Sequence, residues 1–164
     1  MISVVSLWFR TYGFGEILPD LLIGAYPRDT EDVGMLQWAT VRRVLNLVED
    51  EEYEAGEREA VTQAYASAGI EEHRLSFPDY GNLPEEALEV AVQEVTGWLA
   101  ERVCSYVHCR AGWQRSAAIA GGVVATVQGI DIDEALQFVQ DRKPSADPLP
   151  HQRKDLRRWW DARR

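Results

Sequence analysis

The sequence has 164 residues, of which 46% are hydrophobic and 27% are charged. These values are ordinary for a globular domain, and the length is sufficient for one hydrophobic core without disulfide or metal cross-links. The formal net charge of −10 disfavours nonspecific binding to nucleic acid or to an anionic membrane surface. No apolar run approaches the length that spans a bilayer, so stable membrane insertion is not expected.

The chain contains two cysteines, Cys104 and Cys109, too few for a disulfide framework or for a four-ligand zinc site. A reducing, cytoplasmic setting is therefore expected. The apolar N-terminal stretch lacks a preceding basic residue and a small-residue cleavage site, so it is interpreted as part of the fold. No linker or repeat interrupts the chain, which predicts a single domain over residues 1–164.

Strand and helix patterns alternate along the chain. The predicted strands cover residues 21–25, 41–48, 70–77 and 103–108. The predicted helices cover residues 30–38, capped by Thr30, 53–68, ended by Gly69, 84–102, 115–128, a segment from Asp131 or Asp133 to about residue 143, and a last basic helix after Pro150. This alternation predicts an α/β fold with a central, mostly parallel sheet flanked by helices.

The most informative segment is HCRAGWQRS, residues 108–116, between a predicted strand and a predicted helix. A loop in this setting directs backbone N–H groups and the positive end of the helix dipole into one concavity, which suits a phosphate dianion. This predicted phosphate loop consists of Cys109, Arg110, Ala111, Gly112, Trp113, Gln114 and Arg115.

The side chains of this loop indicate its chemistry. Gly112 allows the loop to curl without obstructing the anion. Arg115 can grip two phosphate oxygens with its planar guanidinium. Cys109 lies at the floor, where the helix end, the N–H groups and Arg115 favour its thiolate, so it is the expected nucleophile.

HCRAGWQRS matches the Cys-x5-Arg-Ser signature of the cysteine-dependent protein tyrosine phosphatases, and Ala111-Gly112 most resembles their dual-specificity branch. The segments ILPDLLIGAYP, VLNLVEDEE and RKPSADPLPHQ also resemble segments of that branch, in its compact, atypical single-domain form. Gln114 and the helix AAIAGGVVATVQG depart from the kinase-directed members, which argues against that subgroup.

The resemblance implies a mechanism with a phosphocysteine intermediate. Asp79, thirty residues before Cys109 in a predicted loop, would be the general acid for the leaving oxygen and then the base for the hydrolytic water. Ser116 would hydrogen-bond the departing thiolate, and His108 would order the loop. Neither a metal nor another cofactor is expected, because Arg115 and the backbone amides supply the electrostatic stabilisation.

The expected function is hydrolysis of phosphomonoesters, with protein phosphotyrosine as the leading substrate and phosphoserine or phosphothreonine as further ones. Three alternatives stay open: a phosphatase of a phospholipid or metabolite, a silent phosphate-binding module, and a rhodanese-type sulfurtransferase, which the signature spacing fits worse. The expected partner is a phosphorylated protein or small phosphomonoester bound by a monomer.

Other residues have competing interpretations. Cys104 is interpreted as inert core, with a disulfide to oxidised Cys109 as the alternative. Gln152 is interpreted as a surface amide rather than a water-positioning group. Three aromatic residues either wall the pocket or belong to the core: Phe77, Tyr80 and Trp113.

Overall fold

A computed structural model describes residues 5–163 of the chain. The strands are β1 (Phe14–Leu18), β2 (Leu21–Gly24), β3 (Arg43–Asn46), β4 (Glu71–Arg74) and β5 (Ser105–His108). The helices are α1 (Leu7–Tyr12), α2 (Thr30–Trp38), α3 (Glu57–Ala68), α4 (Glu85–Ala100), α5 (Arg115–Gln128), α6 (Ile132–Arg142) and α7 (Pro150–Arg163), with a 3₁₀ turn at Asp50–Glu52.

The five strands form one sheet in the order β1-β2-β5-β3-β4. Strands β2, β5, β3 and β4 run parallel, whereas β1 pairs antiparallel with β2. The predicted α/β fold with a mostly parallel sheet is therefore confirmed. His108, the last residue of β5, is in register with Gly24 of β2 and Asn46 of β3, so the loops that follow all three strands meet at one edge of the sheet. Binding sites of open α/β sheets lie at this carboxyl edge.

Helices cover both faces of the sheet because successive strand side chains point to opposite sides. The face that includes Tyr106 packs against α2 and α3. The face that includes Val107 packs against α4, α5, α6 and α7. Helix α5 lies in the middle of this second layer, and every residue from Arg115 to Ala125 is buried, as its nearly all-apolar sequence predicts.

Several predicted boundaries were wrong. The predicted strands are all present but shorter at one or both ends. Helix α3 begins at Glu57 rather than at residue 53, because Gly56 adopts a left-handed conformation with φ 86° and separates the helix from the 3₁₀ turn. Asp29, not Thr30, caps α2: its side chain accepts a hydrogen bond from the Asp32 N–H at 2.9 Å.

Two elements near the N-terminus were not predicted. Helix α1 has six residues and is capped by Ser6, whose hydroxyl accepts a hydrogen bond from the Phe9 N–H at 3.1 Å. Strand β1 follows directly and turns at Pro19 and Asp20 into β2. A helix this short gains too little from its own hydrogen bonds to be recognisable by pattern; it is held by the side chains that it buries. No helix within residues 5–163 has both the length and the apolar character needed to cross a bilayer.

Candidate active site

The phosphate loop connects β5 to α5, and its backbone is held from outside. Three of its carbonyl groups accept hydrogen bonds from residues that do not line the pocket. The Arg110 carbonyl accepts from the Tyr26 N–H at 3.1 Å, and the Trp113 carbonyl accepts from the Asp147 N–H at 2.6 Å. The Gly112 carbonyl accepts from Lys143 Nζ at 3.1 Å. In a trans peptide the N–H points opposite to the C=O. The N–H groups of the following residues therefore point away from these donors, which produces an anion-binding concavity.

Gly112 is required at the turn of this loop for two reasons. Its φ is +79°, a conformation that other residues rarely adopt, and a Cβ atom there would lie 2.6 Å from the Cα and carbonyl carbon of Gly24. The loop thus packs backbone against backbone on the end of β2. This contact fixes the loop against the sheet.

Cys109 lies at the floor of the pocket and is 3% exposed. Its Sγ is 3.3 Å from the Oγ of Ser116, in the first turn of α5. The pocket above it has a volume of about 410 Å³. The sulfur thus lies at the positive end of the α5 dipole, next to a hydroxyl that can donate a hydrogen bond to it.

Arg115 is almost completely buried and is held by Glu52. Its Nη1 and Nη2 donate to the two carboxylate oxygens of Glu52 at 2.8 and 2.7 Å, and Nη1 also donates to the Phe77 carbonyl at 2.9 Å. Burial has the largest single effect and raises the pKa of Glu52, but the hydrogen bonds from Arg115 and the Glu49 N–H, together with the positive charges of Arg115 and Arg110, hold this pKa below its ordinary value. The bidentate pair orients the guanidinium before any ligand binds.

The geometry leaves part of the guanidinium for a phosphate. Nη2 also lies 3.2 Å from Oδ1 of Asp79, and Nε has no hydrogen-bond partner within residues 5–163. Arginine has five N–H donors, and the Nε–Nη2 edge is the one that Glu52 does not occupy. If Arg115 binds two phosphate oxygens, as expected, it must do so through Nε and Nη2. Asp79 is the acceptor that competes with the phosphate for Nη2.

Glu52 was missed by the sequence analysis, although a signal exists. It belongs to the acidic run EDEE, residues 49–52, which follows β3, the strand beside β5 in the sheet. The carboxyl ends of neighbouring parallel strands meet at one edge, so an acid after β3 can reach an arginine after β5. Asp79, in contrast, was a candidate from the sequence, and it lines the pocket with Cys109 and Arg115.

Comparison with known proteins identifies the relatives of this chain. It is 30% identical over 127 residues to human phosphatidylglycerophosphatase and protein-tyrosine phosphatase 1, an alignment that covers 77% of this chain and 62% of that relative. It is 32% identical over 150 residues to human dual specificity protein phosphatase 16, covering 90% of this chain and 21% of the relative. The crystal structure of PTPMT1 superposes with a TM-score of 0.77 at 25% identity, covering 91% of this chain and 94% of that one. No family model matches.

The chain belongs to the protein tyrosine phosphatase superfamily. Within the superfamily it resembles the compact, atypical dual-specificity members. It spans less than two thirds of the length of the curated relatives that match over most of this chain.

His108, the residue before Cys109, is buried beside the phosphate loop. It is 1% exposed, and its Nδ1 lies 3.1 Å from the Cys109 carbonyl oxygen, so Nδ1 carries the proton. Its Nε2 is buried without a hydrogen-bond partner. Burial lowers the pKa of His108 to about 4, because no acceptor is present for a second ring proton.

The rim of the pocket is aromatic, and α1 supplies half of it. Trp113 is 43% exposed and meets the Tyr12 ring edge-on at 5.5 Å, while Tyr12 packs on Trp8 at 4.3 Å. The Arg110 guanidinium lies 5.9 Å above the Trp8 ring. Of the three aromatic residues in doubt, Trp113 and Tyr80 line the pocket. The third residue, Phe77, belongs to the core.

The segment that carries Asp79, residues 78–83, is here named the acid loop, and α7 anchors it. Nε2 of Gln152 donates to the Gly81 carbonyl at 3.3 Å, and its Oε1 accepts from the Leu149 N–H at 3.0 Å. Gln152 is fully buried, so its interpretation as a surface amide was wrong. The first turn of α7 packs against the acid loop, and Gln152 provides the hydrogen bonds that both backbones need.

Cys104 and Cys109 lie at opposite ends of β5, five residues apart. A strand rises about 3.3 Å per residue, which separates the two Cα atoms by roughly 16 Å. A disulfide requires less than about 7 Å. The alternative of a Cys104–Cys109 bridge was therefore wrong for the folded protein. The Cys104 Sγ lies instead near the Ala39 carbonyl at 3.7 Å.

Proposed function

We propose that the protein hydrolyses phosphomonoesters through a phosphocysteine intermediate on Cys109. The observation that carries the proposal is that Cys109, Arg115 and Asp79 line one pocket, with the buried hydroxyl of Ser116 3.3 Å from the Cys109 sulfur. A module that only bound phosphate would need the arginine and the amides but neither the sulfur nor the acid. The superfamily membership agrees with this choice.

In the first half-reaction the Cys109 thiolate attacks phosphorus, and the bond from phosphorus to the ester oxygen breaks. The phosphate loop N–H groups and the Nε–Nη2 edge of Arg115 stabilise the equatorial oxygens. Asp79 gives its proton to the leaving oxygen, which would otherwise depart as a costly alkoxide or phenoxide. Phosphate binding displaces Asp79 from Nη2, which places the carboxyl beside the ester oxygen.

In the second half-reaction water attacks the phosphocysteine. Asp79, now ionised, takes the proton from the water, and the phosphorus–sulfur bond breaks to give inorganic phosphate and the thiolate. Ser116 donates its hydroxyl hydrogen to the departing sulfur, 3.3 Å away. The protein returns to its starting protonation state.

The two cysteines provide a matched test of the nucleophile. Turnover of para-nitrophenyl phosphate should fall by about 10⁴-fold or more in Cys109→Ser and stay near the wild-type rate in Cys104→Ser. A rapid-quench measurement with a labelled substrate should trap phosphoenzyme in the wild type and in Cys104→Ser but not in Cys109→Ser. Equal turnover of Cys109→Ser and wild type would refute the mechanism.

The leaving group tests Asp79. Asp79→Asn should lower kcat by about 10²–10³-fold for an alkyl phosphate, whose alkoxide needs the proton. The loss should be smaller for para-nitrophenyl phosphate, because nitrophenolate leaves without help. Asp161→Asn, at the exposed end of α7, is the control. If Asp79→Asn loses the same factor with both substrates, Asp79 is not the acid.

The leading substrate is protein phosphotyrosine, whose ring could stack against the rim. A phospholipid is the second candidate, because the human relative is named both phosphatidylglycerophosphatase and protein-tyrosine phosphatase. The exposed Arg110 also supports a phospholipid substrate. Its guanidinium lines the pocket and forms no ion pair with a carboxylate of residues 5–163, so it could bind a second anionic group of the substrate.

A substrate panel separates these candidates. Values of kcat/KM should be measured for a phosphotyrosine peptide, a phosphoserine peptide and phosphatidylglycerophosphate in detergent micelles, each with wild type and Arg110→Gln. If the substrate is a lipid, Arg110→Gln should lower kcat/KM for the lipid by about tenfold and leave kcat/KM for the phosphotyrosine peptide unchanged. Preference for the peptide, with no effect of Arg110, would favour the protein phosphatase.

A further inference from the structure

Lys143 is a buried cation outside the pocket. It directly follows α6, and its backbone N–H closes the last turn of that helix on the Val139 carbonyl at 2.9 Å. The residue is only 6% exposed. Lysine is almost never buried so completely unless it is paired, so its environment requires an explanation.

The contacts of Lys143 place its ammonium group beneath the phosphate loop. Nζ donates to the Gly112 carbonyl at 3.1 Å and to the Ser145 Oγ at 2.7 Å. Its aliphatic stem runs beside Gly15 of β1, where an added Cβ would lie 3.4 Å from the lysine Cβ and Cγ. No Asp or Glu within residues 5–163 forms an ion pair with it, so the usual counter-charge is missing.

The bond to the Gly112 carbonyl places the ammonium under the loop that begins with Cys109, so a thiolate at Cys109 would supply the missing counter-charge. Burial lowers the pKa of Lys143, and among residues 5–163 a negative charge on Cys109 acts in the opposite direction. An electrostatic coupling is reciprocal: a thiolate that stabilises the ammonium is stabilised by it to the same degree. The other groups around the sulfur are Arg115, Asp79, the neutral His108 and the Ser116 hydroxyl.

We propose that Lys143 is a positioning residue of the active site, which stabilises the Cys109 thiolate and orients the loop from its outer side. Its bond to the Gly112 carbonyl turns that carbonyl outward. The Trp113 N–H of the same peptide then points the other way, toward the anion. The inference concerns the nucleophile of the proposed function, but it can be tested without turnover.

The test measures the alkylation rate of Cys109 by iodoacetamide as a function of pH, in a Cys104→Ser background. Iodoacetamide is uncharged, so the rate reports the thiolate fraction rather than attraction of the reagent. Lys143→Met should move the half-maximal pH upward by about one unit or more, as expected for the loss of a nearby opposite charge. Lys143→Gln retains a donor for Gly112 without the charge and should show the same shift.

The matched control is Lys154→Met, the other lysine of the chain, which is exposed on α7 and should leave the half-maximal pH unchanged. Lys143→Arg keeps the charge and should stay near the wild-type value. An unchanged half-maximal pH in folded Lys143→Met or Lys143→Gln would overturn the inference; if the methionine variant does not fold, the glutamine variant decides. Failure of the proposed function would appear instead as undiminished hydrolysis by Cys109→Ser, independently of this measurement.

Discussion

The phosphate loop and the acid loop face each other across one pocket, yet they are held in different ways. The phosphate loop packs on the backbone of β2 through Gly112, and donors of Tyr26, Lys143 and Asp147 fix three of its carbonyl groups. The acid loop depends on polar contacts from α7. Tyr80, which follows Asp79, is 65% exposed with a left-handed φ of 60°.

This difference separates two tasks. The floor of the pocket must present N–H groups and a thiolate in a fixed geometry, because stabilisation by preorganised dipoles requires that they do not rearrange. The wall of the pocket, formed by the acid loop, must exchange partners in the proposed mechanism, because Asp79 lies 3.2 Å from Arg115 Nη2, the group that the phosphate would take. A rigid floor and an adjustable wall therefore predict large effects for changes beneath the phosphate loop and small effects for changes beneath the acid loop.

The largest effect is expected from Gly112→Ala. The new methyl group would lie 2.6 Å from the backbone of Gly24, at a φ of +79°. Overpacking and left-handed strain together should lower the free energy of unfolding by about 4 kcal/mol and abolish turnover. Gly129→Ala is the control, since Gly129 has a similar φ of +66° with open space around its Cβ; it should cost about 1 kcal/mol. Urea unfolding measures the free energy of unfolding of both variants. Equal decreases would mean that the close contact between Gly112 and Gly24 does not contribute to the effect.

His108 should make the stability of the floor pH-dependent. Its pKa is 6.5 as a free side chain and about 4 in the folded protein, so the unfolded chain takes up the proton first as the pH falls. The contribution of the neutral His108 to the free energy of unfolding is fully present above pH 6.5 and is lost as the pH falls from 6.5 to 4. The free energy of unfolding decreases by roughly 3 kcal/mol over this range. His108→Asn keeps a donor near the position of Nδ1 but does not titrate. The difference in unfolding free energy between wild type and variant should therefore change with pH over this range; a constant difference would contradict the assignment.

Glu52→Gln tests the group that connects the two loops. Glu52 orients the guanidinium of Arg115, which belongs to the phosphate loop and contacts Asp79 of the acid loop. The amide keeps one acceptor oxygen, so Arg115 loses half of its bidentate partner and part of its fixed orientation. We expect kcat/KM for para-nitrophenyl phosphate to fall by about 10–100-fold, the usual cost of losing a supporting partner. Glu51→Gln, the exposed neighbour in the same turn, should change it by less than about twofold. Equal activity of Glu52→Gln and wild type would mean that the remaining partners of the arginine, the carbonyl groups of Phe77 and Leu47 and the carboxylate of Asp79, are sufficient to orient it.

The sequence predicted the floor better than the wall. Residues 109–116 are contiguous and lie between a strand and a helix, so local pattern was sufficient to locate Cys109 and Arg115. Glu52, Lys143 and Gln152 reach the site through tertiary contacts over 63, 31 and 71 positions in sequence. Such contacts leave no local pattern, and each polar side chain alone is typical of a surface. Helix α1 escaped prediction for a related reason, since its rim residues are aligned by packing rather than by helical periodicity.

The smallest effect is expected from Gln152→Leu, beneath the acid loop. The change leaves the Gly81 carbonyl and the Leu149 N–H without their present partner, but His151 Nε2 also lies 3.2 Å from the Gly81 carbonyl, and Asp155 still accepts from the Leu83 N–H at 2.9 Å. We therefore expect kcat to fall by about fivefold, equivalent to roughly 1 kcal/mol, because Asp79 reaches the leaving oxygen less often while Arg115 is undisturbed and KM stays constant.

Gln63→Leu, an exposed glutamine on α3, controls for the change of polarity, and steady-state kinetics on an alkyl phosphate measures both constants. A loss as large as that of Glu52→Gln would mean that the acid loop is as rigidly required as the phosphate loop. The division between a fixed phosphate loop and an adjustable acid loop would then be wrong. Asp79 could not move away from Arg115 Nη2 to admit the phosphate without losing the geometry that proton transfer requires.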